Sequence, residues 1–426
     1  MSTPVLQGSE AKALDVAWAR AQFPSLQQRV GAYPAAFLDG PAGTQVPRHV
    51  MAAVQSYFLQ SNANTCGAFD TSRRNDQIID LTRAAMADFF HCDKDEVVFG
   101  QNMTTITFAL ARAIGRGLKA GDEIVVTTLD HDANVAPWRA LEEQGIVIRQ
   151  VDIHVEDCTL DLADLKRKIT PGKTRLVAVG YASNAVGTIN PVAEITKLAH
   201  DAGALMFVDA VHYAPHGPID VRALDCDFLV CSPYKFFGPH MGTLYGKREH
   251  LLHFLPYKVR PAPDTLPDRW ETGTQVQELI AGIGGAIDYL VLLGRQCDPT
   301  VQDRRSALLA AYRATHRHEM SIFARLMEGL LSIHGVQVFG ITDSKRFDAR
   351  CSTVSIRMHN HTPRQISAFL GDRGVFTWDG NYYALNLTER LGVESSGGLL
   401  RIGLVHYNTA EEVDRLLTHL RELATH

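Results

Sequence analysis

From Asp95 to Val230 the spacing of apolar positions keeps changing period. Short β-branched or apolar runs, "EVVFG", "DEIVVTTL", "IVIRQVDI", "TRLVAVGYAS", "ALMFVDAV" and "CDFLVCS", alternate with helix-like stretches, "TTITFALARAIGRGL", "APWRALEEQG", "LADLKRKI" and "PVAEITKLAHDAG". Alternation of this length predicts a mostly parallel sheet sandwiched between helices, an α/β architecture whose ligands sit beyond the carboxyl ends of the strands. Helical patterning then dominates from about Gln277 to Leu331. After it, "CSTVSIRM", "GVFTWDG" and "LLRIGLVHY" read as strands, and "PRQISAFLGDRG" and "AEEVDRLLTHLREL" as helices. The expected organisation is a large domain over residues 31–295 and a smaller α/β domain made of residues 1–30 and 296–426.

Composition supports two domains and narrows the chemistry. The chain has 426 residues, beyond the roughly 250–300 at which one hydrophobic core stops growing. It is 46% hydrophobic and 21% charged, with a formal net charge of -5 and no block of like charges. That balance argues against a nucleic-acid or membrane-surface partner and leaves small-molecule chemistry as the default. The N-terminus lacks a basic stretch followed by an apolar one, and no apolar run reaches a membrane-spanning length, so a cytoplasmic protein is expected. Seven scattered cysteines, an odd number with no C-x-x-C pair, read as reduced thiols.

The polar groups at the strand exits carry the chemistry. "FGQNMTT" puts Met103 and Thr104 at a helix start, "TLDHDAN" supplies His131, "YASNAVGTINP" supplies Asn184, "FVDAVHY" supplies Asp209 and His212, and "CSPYK" supplies Ser232, Tyr234 and Lys235. In a parallel sheet all of these converge on one rim. A lysine after an apolar run either snorkels to water or is held as a neutral imine with a carbonyl. A helix start beside Thr104 and Ser232 suits a phosphate, and Asp209, ending an apolar strand, needs a cationic partner. Each residue has a plainer reading: Asp209 as a helix N-cap, His131 as a satisfied core histidine, Asn184 as a turn residue, His212 and His216 as metal ligands at H-x-x-x-H spacing. Together, an imine-forming lysine, a buried carboxylate, a flat histidine ring and a phosphate cradle are what pyridoxal 5'-phosphate (PLP) requires; no metal is expected.

The chain also resembles the class V aminotransferase branch of the fold-type I PLP-dependent enzymes, near the cysteine desulfurases and selenocysteine lyases. The resemblance runs from "AFLDGPAGTQVP" to "YNTAEEVDRLL" and is densest in "SNAVGTINPV", "FVDAVHYAPHGPIDVRALDCDFLVCSPYKFFGPHMGTLYGK", "WETGTQVQELIAGIGGAIDYL" and "LLRIGLVHYNTAEEVDRL". It implies that Lys235 forms the Schiff base and shuttles protons, that Asp209 pairs with the pyridinium nitrogen, and that His131 stacks on the ring. It further implies that His212, where the family usually has glutamine, bonds the phenolic oxygen. The phosphate would fall to Thr104, Ser232, the Met103 backbone, and Tyr234 in place of the usual histidine. Thr274 would reach the phosphate of a neighbouring subunit, implying a homodimer, and Asn184 and Arg401 would take the substrate carboxylate, the arginine through a bidentate fork.

One departure bears on the reaction. In desulfurases the loop matching "FTWDGNYYALNL" carries a nucleophilic cysteine; here that place is Tyr383, and the arginine just before the loop glycine is replaced by Trp378. A phenol cannot carry a persulfide, and Cys66, in "SNANTCGAF", is the alternative nucleophile set against an ordinary thiol. The expectation is therefore a lyase of Cβ–S or Cβ–Se bonds on a small L-amino acid without a persulfide relay. An aminotransferase or epimerase, and a PLP-holding protein without catalysis, stand as alternatives.

Overall fold

The computed structural model describes residues 12–425; residues 1–11 of the expected N-terminal segment lie outside the described residues. The central sheet has seven strands: β1 (Val97–Gly100), β2 (Glu123–Thr127), β3 (Val147–Val151), β4 (Thr174–Gly180), β5 (Leu205–Asp209), β6 (Phe228–Cys231) and β7 (Gly242–Gly246). Their order across the sheet is β1-β7-β6-β5-β4-β2-β3, and all run parallel except β7, which is antiparallel to both of its neighbours. The runs look continuously apolar because both faces are covered. Val125, Val177, Val179, Met206 and Val208 point to one face, where they meet Met86, Phe89, Ile195, Ile280, Ile283 and Ile287. Their sequence neighbours Ile124, Val126, Leu176, Ala178 and Phe207 point to the other, against Ile106, Leu110, Ile114 and Trp138, as the two-residue alternation of a strand demands.

Two stretches fold otherwise than their local pattern suggests. The glycine-studded segment after Lys235 reads as a turn, yet Gly242–Gly246 forms β7 in the middle of the sheet. Its glycines are there for close approach: a Cβ on Gly242 would lie 2.4 Å from the Asn102 carbonyl carbon and 2.7 Å from the Met103 nitrogen. "APWRALEEQG" reads as one helix but divides into an α-turn, Ala136–Arg139, and a 3-10 turn, Ala140–Gln144. The helix Gln277–Cys297 is long and apolar enough to cross a membrane by length and composition, but 72% of its most apolar window is buried inside the protein. It packs against the helices Arg48–Gln60, Asp70–Phe90 and Arg304–Leu331, and Gly285 and Gly294 lie against the backbone of His49 and Ala307.

A second, antiparallel sheet contains β8 (Val336–Phe339), β9 (Thr353–Met358), β10 (Trp378–Gly380) and β11 (Leu399–Gly403) in the order β8-β9-β11-β10. Its own core joins Val354, Ile356, Leu400 and Ile402 to Phe323 and Leu326 and to Val413, Leu416 and Leu420. Ala36 and Leu38 also belong to this core, and Ala36–Phe37 pairs with Val375–Phe376. We therefore propose that the large domain begins after Leu38 and ends near residue 295.

Candidate active site

Beyond the carboxyl ends of β2, β4, β5 and β6 lies a cavity of about 710 Å³. Met103, Thr104, His131, Asn184, Asp209, His212, Ser232, Tyr234, Lys235, Trp378, Tyr383 and Arg401 all line it. Thr274 does not; it is exposed, in the segment preceding the helix Gln277–Cys297. A second, more open hollow of about 870 Å³ over the small domain contains none of the predicted residues.

One end of the cavity is built for an anion. Asn102 caps the helix Met103–Gly115 by accepting from the Thr105 amide (2.8 Å), and the Met103 N–H points to Ser232 Oγ at 3.4 Å. A helix start with the Thr104 and Ser232 hydroxyls beside it suits a phosphate. Gly242 sets its shape. Gly242→Ala is expected to push the helix start outward and weaken cofactor affinity roughly tenfold or more, read by titrating the cofactor-free variant with PLP and following absorbance.

Lys235 closes a short 3-10 turn, Pro233–Lys235. Its Nζ donates to the carbonyls of Pro41 (2.5 Å) and Ala42 (3.0 Å) and sits 4.7 Å from the Tyr234 ring centroid. Desolvation, then the Arg401 charge, lowers its pKa to about 7, against the pull of Asp209 and Asp39. Asp209 accepts from the Val211 amide at 2.9 Å, and burial raises its pKa to about 6. No helix starts at Asp209, so it is not an N-cap. Lys235 attracts it through space without a direct ion pair, leaving a carboxylate that lacks the close cation it needs. The remaining demand suits a protonated ring nitrogen.

His131 caps the turn Asp132–Asn134 by accepting at Nδ1 from the Ala133 amide (3.0 Å). Burial, with Lys235 and Arg401 nearby, lowers its pKa to about 4, so the ring is neutral at pH 7. The preceding Asp130 fixes this corner by accepting from the Gly180 amide (2.8 Å) and Asn134 Nδ2 (2.9 Å). His212 is buried, its pKa held well below the usual value by burial, and its Nε2 has no hydrogen-bond partner. His212 lines the cavity, and an orphaned buried imidazole nitrogen calls for a polar partner. Nitrogens of His212 and His216 and the Cys351 thiol lie within 4.8 Å of one another, but His216 Nδ1 is already tied to Glu319 at 2.7 Å.

The small domain closes the other end. Arg401 on β11 is 3% exposed; its Nη1 donates to the Asn184 carbonyl (2.8 Å), its guanidinium lies 4.3 Å from the Tyr382 ring centroid, and its Nε has no partner. Asn184 donates through Nδ2 to the Tyr382 carbonyl (2.9 Å), leaving its Oδ1 unpartnered. The loop Asn381–Tyr383 is pinned. Tyr382 and Tyr383 both adopt positive φ (55° and 59°), the Asp132 amide donates to the Tyr383 carbonyl (2.6 Å), and Asn381 Nδ2 donates to Glu394 (3.0 Å). Tyr383 stacks on His131 with ring centroids 5.4 Å apart.

Sequence reasoning missed Asp39 and the two carbonyls that hold Lys235. Asp39 is desolvated to a pKa of about 6 and feels both Arg401 and Lys235. Its signal was the turn sequence "DGPAG" at the end of a short strand. Lys235 also makes a pH prediction for the cofactor-free protein. Its folded pKa, about 7, lies below the ordinary lysine value of about 10.4, so between those two values the unfolded chain binds more protons and stability from this group rises with pH. Relative to Lys235→Met, the wild type should gain up to about 1.4 kcal/mol per pH unit across that window, measured by urea unfolding of both proteins.

The sequence profile of the family described as Aminotransferase class-V matches residues 36–416. The chain belongs to this family, whose members are PLP-dependent enzymes of fold type I. It is 33% identical over 421 residues to a cysteine desulfurase of Enterobacter sp. (strain 638), covering 95% of this chain and 97% of that protein. It is 31% identical to a cysteine desulfurase of Synechococcus elongatus, of whose length it spans 66%. The apo structure of the cysteine desulfurase from Thermococcus onnurineus NA1 superposes with a TM-score of 0.86 at 27% identity, covering 98% of this chain and 100% of that one.

Proposed function

We propose that the protein binds PLP in this cavity and cleaves the Cβ–S or Cβ–Se bond of a small L-amino acid, without passing sulfur to a protein cysteine. The residues fit the cofactor: a helix start and hydroxyls for its phosphate, the under-neutralised Asp209 for its nitrogen, the orphaned His212 Nε2 for its phenolic oxygen, and Lys235 for its aldehyde. When bound, PLP supplies a sink for the negative charge that develops at the substrate Cα.

The chain's own residues do the rest. Lys235, with its pKa lowered to about 7, is poised to take the Cα proton at neutral pH and return it. Arg401, its charge retained despite burial, grips the substrate carboxylate beside Asn184. Neutral His131 presents a flat, uncharged face. Tyr382, whose phenol burial keeps protonated, packs its ring against Arg401 and holds that fork in place. Thr274, exposed and outside the cavity, is proposed to serve the phosphate site of a second copy in a homodimer.

The observation that carries the relay-free reading is that Tyr383 occupies the loop position and no cysteine is among the described residues lining the cavity. Cys66 is exposed elsewhere, its amide bonded to Asp76. Incubation with L-cysteine should yield sulfide, pyruvate and ammonia, with no protein-bound persulfide by intact mass. Alanine together with persulfide near one per site would refute it; a keto acid retaining sulfur, or the D-isomer, would select transamination or epimerisation.

A further inference from the structure

Two large aromatic side chains stand at the mouth of the cavity with their rings in the open: Trp378 is 51% and Tyr383 72% exposed. Neither is there to fill a core. Trp378 lies directly opposite Arg401 in the β10–β11 register, so the two side chains leave the sheet on one face as near neighbours. The indole therefore borders the fork that would hold the substrate carboxylate. Tyr383, five residues on, is held by a left-handed backbone conformation and by the bond from the Asp132 amide to its carbonyl, and its ring backs onto His131. Side-chain-bearing residues rarely adopt positive φ, and two in succession at a cavity mouth point to a held orientation.

The charges nearest the two rings are carboxylates or already paired. Asp132 lines the mouth, and Asp379, next to Trp378, is paired outward with Arg364 (3.2 Å). The cations that line the cavity, Lys235 and Arg401, are inside and already assigned. An anionic substituent on the substrate sulfur would find no partner at the mouth; a flat, uncharged one would find two aromatic faces.

Resting on the lyase reading above, we propose that the substrate is a cysteine thioether bearing an aromatic group, seated between Trp378 and Tyr383. The thioether and one water give the aromatic thiol, pyruvate and ammonium. The Cα proton passes to Lys235 Nζ, the Cβ–S electron pair leaves on sulfur, Lys235 returns the proton to that sulfur, and the remaining enamine is hydrolysed by the water, with no external oxidant or reductant.

The test compares S-benzyl-, S-methyl- and S-carboxymethyl-L-cysteine on the holoenzyme. It adds calorimetric binding of S-benzyl-α-methyl-L-cysteine and S,α-dimethyl-L-cysteine, which lack the Cα proton. The benzyl compounds are expected to be favoured about tenfold to a hundredfold over the methyl ones, both in kcat/KM and in affinity, with the carboxymethyl compound poorest. Trp378→Ala combined with Tyr383→Ala should reduce both ratios to within about threefold, while Trp378→Phe should keep most of the preference. Equal use of methyl and benzyl compounds by the wild type, or a preference untouched by the double variant, would overturn this proposal and leave the lyase reading standing. If no thioether releases pyruvate while L-cysteine does, this proposal alone falls; if neither releases it, both fall.

Discussion

Replacing Lys235 with alanine is expected to lower turnover of every accepted amino acid by about 10⁴-fold or more. The argument is one of position and pKa. Lys235 is the only lysine lining the cavity among the described residues, and its Nζ is kept there by the carbonyls of Pro41 and Ala42. Desolvation brings its pKa to about 7, so near neutral pH the amine spends comparable time as base and as acid. Alanine removes the base without introducing a buried charge, so the fold should survive. The check is pyruvate release alongside thermal unfolding, with activity lost and Tm held within a few degrees.

Arg401→Lys should cost roughly a hundredfold in kcat/KM. The guanidinium is buried, braced by the Asn184 carbonyl and stacked on Tyr382, with Nε still unpartnered. A carboxylate arriving there meets a planar fork already oriented. Lysine offers a point charge that keeps neither the stacking nor the second parallel bond. The substrate amide, which has no carboxylate, provides the control. Wild type should prefer the acid to its amide strongly, and the variant should discriminate far less.

Much of this was legible in the strand exits. Asp209, Ser232 and Lys235 each follow an apolar run, and the parallel sheet carries all of them to one rim. The runs around Val125, Val177 and Phe207 were readable because both sheet faces are apolar. What escaped notice depends on distance in sequence. Pro41 and Ala42 act through backbone carbonyls, which no residue type advertises. Asp39 reaches the site because its backbone bridges Gly403, a contact no local pattern encodes. β7 was hidden by its glycines, which normally weaken a strand but here admit the helix start at Met103. The roles of Tyr382 and Tyr383 separate only in three dimensions, one phenol buried beside Arg401 and the other exposed against His131.

The central claim is that Lys235 is the residue to which PLP is joined. Borohydride reduction of the PLP-loaded protein, followed by proteolysis and mass spectrometry, tests it without reference to any substrate. The predicted result is one phosphopyridoxyl group per chain, on the peptide containing Lys235 and absent from Lys235→Ala. A stable adduct on another lysine, or none on a protein that has taken up the cofactor, would contradict the account.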